Sequence, residues 1–213
     1  DIDITTGNKD ASKLSEALNK VFPDSNYRTY DDGHSSLDVS GLHIDFSSNF
    51  IAPGVHKELK KMGILDITDM KLELYSRDFT MNTLLESLDF ESLYDLTGDG
   101  IKDLQAGLIR CPIDPNITIG VDARRILRAI KFAIKYDFNI DDKLKSAMKE
   151  YRKNIANLPT KFVQDKINEI VLMDSDKGTE MLIEYKILQL VPMTKTVSDI
   201  LIQKRQLARA LWD

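Results

Sequence analysis

Apolar and polar positions change their period along this chain, and the change divides it. The opening DIDITT alternates as a short strand does. SKLSEALNKVF follows with Leu14, Leu18 and Phe22 at helical spacing, and Pro23 stands just beyond to stop the helix. SSLDVSGLHIDFSS alternates again and reads as two strands joined by a turn near Ser40-Gly41. Residues 53–70, around KELKKMGILDITDM, are charged and turn-prone and fit a mobile connection or a short helix. RDFTMNTLLESL reads as a helix, and SLYDLTGDGIKDLQAG as a strand or loop with a Gly-Asp-Gly turn. Beyond Pro112 and Pro115 the pattern becomes almost continuous helix. VDARRILRAIKFAIKYDF sets Ile126, Leu127, Ile130, Ala133 and Ile134 on one side, and a stripe of Arg124, Arg128, Lys131 and Lys135 on another. Further helices are predicted near 142–155, 160–173, 176–190 and 195–211.

The economical division is an α/β head over residues 1–112, a small mixed sheet with helices, followed by an all-helical neck and body over 113–213. Composition supports a folded chain with a substantial core: of 213 residues, 42% are hydrophobic and 30% charged. A net charge of −5 argues against a coat for long nucleic acid but allows a local basic groove for a short RNA end. Cys111 is the only cysteine, so no internal disulfide and no cysteine-based zinc site can form. A reducing, cytoplasmic compartment is expected. His34, His43 and His56 are scattered without metal-ligand spacing. No apolar run approaches the roughly 20 residues that span a bilayer, and no signal peptide is recognisable. The chain begins inside a strand motif, as an excerpt with upstream residues missing would.

Four stretches could carry chemistry, one of them DLTGDGIKDLQAGLIR, whose glycines and aspartates also fit a simple turn. Asp1 and Asp3 alternate onto one face of the first strand, where like charges repel unless water or a cation lies between them. They fit a solvated strand end or a magnesium clamp, since hard divalent ions take oxygen ligands. YSRDFTMNTLL carries Arg77, Asp78 and Asn82, which fit either a solvated helix start or a binding cluster. GVDARRILRAIKF carries Asp122, a plausible N-cap, with Arg125 and Arg128 three residues apart on a helix face.

In order and spacing, DID, RDFTMN, DLTGDGIKDLQAGLIRCPIDP and DARRILRAIKF resemble the class II tRNA nucleotidyltransferase and bacterial poly(A) polymerase family, most densely over 76–140. The resemblance implies that Asp1 and Asp3 hold two catalytic magnesium ions. It places Asp45, in LHIDFSS, where the family often has a third acidic residue, against an ordinary exposed strand aspartate. It implies that Arg77, Asp78 and Asn82 contact the sugar and phosphates of the incoming nucleotide; Arg128 is a further candidate for nucleotide binding. Asp122 and Arg125 correspond to the family's EDxxR segment, which reads the base. Four positions depart from the family pattern: Val121 stands for glutamate, Ala123 for proline, Ser76 for the first arginine of RRDF, and the strand after Asp45 ends SSNF without the arginine.

Base selection follows from donor and acceptor chemistry. A carboxylate accepts and a guanidinium donates. Cytosine and adenine both present an amino donor beside a ring-nitrogen acceptor, so Asp122 with Arg125 complements both. Guanine and uracil turn a carbonyl oxygen toward the carboxylate. The activity implied is addition of C and A from CTP and ATP to RNA 3′ ends, foremost tRNA CCA addition, with poly(A) addition or a non-catalytic RNA-binding homologue as alternatives. Arg124, Arg128, Lys131 and Lys135, together with Lys143, Lys145 and Lys149, are the candidate RNA-phosphate contacts, against a solvated helix face.

Overall fold

The structure is a computed structural model that describes residues 2–5, 11–31, 33–47 and 50–210, without the side chains of 205–210. It divides into two compact units, Asp1–Ser76 and Arg77–Asp213.

The first unit runs β1 (Ile2–Ile4), α1 (Ala11–Val21), β2 (Arg28–Thr29), β3 (Ser35–Val39), β4 (Leu42–Phe46), α2 (Val55–Lys61) and α3 (Asp69–Ser76). Its sheet has the order β1-β4-β3-β2, with β1 parallel to β4 and the other neighbours antiparallel. The β3–β4 hairpin turns through Ser40 and Gly41, both at positive φ (52° and 81°). Two such residues match the right-handed twist of a tight hairpin. Parallel pairing sets Asp3 opposite Asp45 and Ile4 opposite Phe46. Alternation sends Ile4, Leu37, Ile44 and Phe46 into a core with Ala11 and Leu18 of α1. Asp3 and Asp45 lie on the other face. The segment 53–70, read as a mobile connection or short helix, holds α2 and the start of α3.

The second unit begins with a 3₁₀ turn at Thr80–Asn82 and the β5 (Leu85–Glu86) and β6 (Leu93–Tyr94) hairpin. There follow α4 (Gly100–Gln105), β7 (Leu108–Ile109), α5 (Pro115–Val121), α6 (Arg124–Tyr136), β8 (Asn139–Ile140), α7 (Asp142–Tyr151), α8 (Thr160–Met173), α9 (Ser175–Glu184) and α10 (Lys195–Ala210). Strands β7 and β8 pair in parallel. The carboxylates of Asp114, Asp141 and Asp174 accept amide N–H groups at the starts of α5, α7 and α9, meeting donors that a helix start otherwise leaves open. Ile126, Leu127 and Ile130 of α6 are buried with Ile119, Leu144 and Val163 in one apolar core.

RDFTMNTLLESL does not form the expected helix. Its backbone is taken by other partners: the Phe79 N–H donates to Asp78 Oδ1 at 2.9 Å, and the Thr80 N–H donates to Arg110 O at 2.8 Å. Phe79 is fully buried and meets Phe132 of α6 edge-on, with ring centroids 5.9 Å apart. This anchoring explains why the units divide at Ser76/Arg77, while the change to continuous helix falls near 112: Phe79, Ile109 and Cys111 share their core with α6.

Candidate nucleotide and metal site

The candidate residues fall in both units. In the first, Asp3 is exposed and the Asp45 side chain is 36% exposed, opposite each other on adjacent parallel strands. Asp1 lies outside the described residues. Two in-register carboxylates offer the hard oxygen donors that Mg²⁺ takes, with waters and substrate phosphates filling its remaining positions. Among the described residues no group of three potential ligands converges; Asp3 and Asp45 could supply two of the oxygen ligands that a divalent ion takes. His43 stands beside the pair: its Nε2 is 3.3 Å from Asp45 Oδ2, and its Nδ1 is 2.5 Å from Asp38 Oδ1. The hydrogen bond to Asp38 holds the His43 pKa above its ordinary value against desolvation, with the Asp45 charge adding to the effect. The same bond holds the Asp38 carboxyl below its usual range.

In the second unit, Asp78 forms a bracket. Its side chain is 8% exposed. Oδ1 accepts from the Phe79 N–H and from Asn82 Nδ2, each at 2.9 Å, and Oδ2 accepts from Arg128 Nε at 2.5 Å. Arg77 donates through Nη1 to Asn82 O at 2.9 Å. The structure thus brings Arg77, Asp78, Asn82 and Arg128 together, with the Asp78 oxygens turned to protein donors. The Arg128 guanidinium lies 5.1 Å from the Phe132 ring centroid, and its side chain is half exposed.

Asp122 sits between α5 and α6. Its Oδ1 accepts the Arg124 N–H at 2.9 Å, and both oxygens accept Arg124 Nε, at 2.8 and 3.0 Å. Burial pushes the Asp122 pKa up, but these Arg124 bonds and the nearby Arg125 charge outweigh it and hold the carboxyl below its usual range. Arg125 and Arg128 differ sharply in environment despite their spacing. Arg125 is 8% exposed and donates to Thr118 O at 3.3 Å, and burial pushes its pKa down. Within the cationic stripe, Arg124 pairs with Asp122, Arg128 with Asp78 and Lys131 with Glu169, while Lys135 Nζ lies 5.0 Å from the Tyr136 ring centroid.

DLTGDGIKDLQAGLIR, which the sequence marks as a candidate turn, holds an ion pair that its pattern does not reveal, between Asp103 and Arg110. Asp103, 2% exposed, accepts from Arg110 Nε and Nη2 at 2.8 Å each and from Thr80 Oγ1 at 2.7 Å. The pair ties α4 and β7 to the turn carrying Asn82. Its signal was an Asp and an Arg flanking the apolar DLQAGLIR run, which also suits solvated ends.

An in-register carboxylate pair facing away from the core of a small mixed sheet, followed by a helical unit with an Arg-Asp-Asn turn, defines a nucleotidyltransferase head with a helical neck. A family model of the poly A polymerase head domain matches residues 1–110. The chain belongs to this family, which it shares with the CCA-adding enzymes. It is 42% identical over 74 residues to the tRNA nucleotidyltransferase cca2 of Schizosaccharomyces pombe, covering 35% of this chain and 15% of that protein. With the CCA-adding enzyme of Limosilactobacillus reuteri it shares 33% over 106 residues, 50% of this chain and 26% of the relative. Among solved structures, the Thermotoga maritima CCA-adding enzyme complexed with tRNA-CCA superposes with a TM-score of 0.66 at 25% identity, covering 89% of this chain and 43% of that one. A CCA-adding enzyme complexed with ATP gives a TM-score of 0.67 at 26% identity, over 89% and 43%. The chain therefore spans less than half the length of these relatives.

Proposed function

We propose that this chain is the head and neck of a template-independent nucleotidyltransferase that adds C and A to RNA 3′ ends, foremost the CCA end of tRNA, with 1–112 as head and 113–213 as neck and body. The observation carrying this reading is the register that sets Asp3 opposite Asp45 on β1 and β4, in a chain whose solved relatives include CCA-adding enzymes with ATP and with tRNA. Asp1, Asp3 and Asp45 would hold two Mg²⁺ ions; when bound, these lower the pKa of an attacking hydroxyl and neutralise developing phosphate charge. The RNA 3′-hydroxyl attacks the α-phosphate of CTP or ATP, the α–β bridging bond breaks, and pyrophosphate leaves. Arg77, Asn82 and the half-exposed Arg128 orient the sugar and phosphates, while Asp78 fixes Asn82 and Arg128 in place. Asp122 accepts the amino group of cytosine or adenine once the exposed Arg124 side chain swings aside, and Arg125 donates to the ring acceptor. Arg124, Lys131 and Lys135 contact tRNA phosphates.

No described helix is long and apolar enough to cross a membrane. The test is incorporation of labelled CTP and ATP into tRNA lacking its CCA end, by the intact protein across a Mg²⁺ titration. CCA completion is expected. Long A runs would identify a poly(A) polymerase. Folded protein that binds tRNA without incorporating either nucleotide would refute catalysis and leave the RNA-binding homologue. Neutralising Arg124, Lys131 and Lys135 together should flatten the salt dependence of tRNA binding; an unchanged slope would return them to ordinary surface.

A further inference from the structure

Glu73 is a buried carboxylate that the proposed chemistry does not use. It lies on α3 and is 4% exposed, between Leu72 and the buried Leu74. Burying a carboxylate is unfavourable unless its oxygens accept hydrogen bonds. Here two hydroxyls supply them from two different strands: Thr5 Oγ1 donates to Oε2, and Ser47 Oγ donates to Oε1 at 3.3 Å.

The placement of those hydroxyls gives the contact its meaning. Thr5 follows Asp3 by two positions and Ser47 follows Asp45 by two. Strand alternation puts each hydroxyl on the same face as its aspartate, one step further along. The Ser47 N–H also donates to Ile4 O at 2.9 Å, so the β1–β4 ladder continues through this step. One carboxylate therefore grips the ends of both strands just past the point where Asp3 and Asp45 stand opposite each other. We propose that Glu73 is a positioning residue that fixes the spacing of the Asp3–Asp45 carboxylate pair by clamping the ends of β1 and β4 together; this rests on the reading of that pair as a divalent-cation site. A helix outside the sheet thereby sets how closely two metal-ligating strands approach.

The test uses the intact protein and Mn²⁺ as the probe, read by electron paramagnetic resonance together with the Mg²⁺ dependence of CTP incorporation. Glu73→Gln keeps the shape but removes the charge and one acceptor. It should weaken Mn²⁺ binding by roughly tenfold, within the range for residues supporting metal ligands. The Mg²⁺ needed for half-maximal incorporation should rise in parallel, with little change in the KM for CTP at saturating Mg²⁺. Glu73→Asp, which keeps the charge on a shorter stem, should recover part of the affinity. Thr5→Val with Ser47→Ala should reproduce the loss from the other side of the clamp, which keeps the proposal testable if Glu73→Gln folds poorly. Variants that melt lower but bind Mn²⁺ like the parent would overturn the positioning role and leave Glu73 as a packing residue. A parent protein that neither binds Mn²⁺ nor incorporates CTP would overturn the cation-site reading itself, and the proposal with it.

Discussion

Replacing Asp122 with alanine separates a cap from a base reader. The carboxylate accepts the Arg124 N–H at 2.9 Å at the start of α6 and both oxygens accept Arg124 Nε. Losing the cap costs about 0.5–2 kcal/mol. The ion pair adds little, because the Arg124 side chain is 59% exposed and such pairs contribute about 0–1 kcal/mol. The expected destabilisation is about 1–2 kcal/mol, which lowers the melting temperature by roughly 3–8 °C for a unit of this size. If Asp122 also faces the amino group of C or A, its removal deletes a charge-assisted hydrogen bond of about 1.5–3 kcal/mol. Discrimination against UTP and GTP should then fall by roughly 10- to 150-fold, while the KM for the RNA stays near its starting value. The assay is single-nucleotide incorporation with each of the four NTPs, run beside a melting curve. A lowered melting temperature with unchanged base preference would show that Asp122 only caps α6.

Asp78→Ala should destabilise far more than Arg128→Ala, although the two side chains pair. The first leaves the Phe79 N–H, the Asn82 amide and the Arg128 guanidinium without their acceptor, about 2–4 kcal/mol, and the second removes only a half-exposed guanidinium while Asp78 keeps its two other donors, about 1 kcal/mol; equal losses in chemical denaturation would refute the bracket. Gly178→Ala should cost about 1–3 kcal/mol through overpacking, because a Cβ there would lie 2.8 Å from the Ile170 carbonyl oxygen of α8; a stabilised variant would mean that α8 and α9 separate freely. The His43 imidazole, followed by NMR, should titrate above 6.5, and Asp38→Asn should bring it down. A His43 pKa raised on folding contributes stability that is full below about pH 6.5 and lost as pH rises through the folded value; an Asp38→Asn protein with unchanged titration would refute the assignment of cause.

Much of the architecture was legible in the chain because it depends on local rules. Period-two alternation marked β1, β3 and β4, and Ser40-Gly41 marked the turn, since few residues accept positive φ. Helical spacing marked α6 through α9, where the apolar stripe has one core to face. The order of the DID, RDFTMN and DARR segments carried the family. Tertiary structure decided what depends on partners distant in sequence. The Arg110 carbonyl and the Asp78 side chain turned RDFTMNTLL from a helix into a turn, because backbone donors take whatever acceptor folding brings to them. Burial separated Arg125 from Arg128, which spacing alone made equivalent. Only strand pairing set Asp3 opposite Asp45, and only the packing of α3 brought Glu73 to the ends of both strands. A periodic pattern tells each segment which face to bury. Which groups then meet across segments is decided when those faces close on one another.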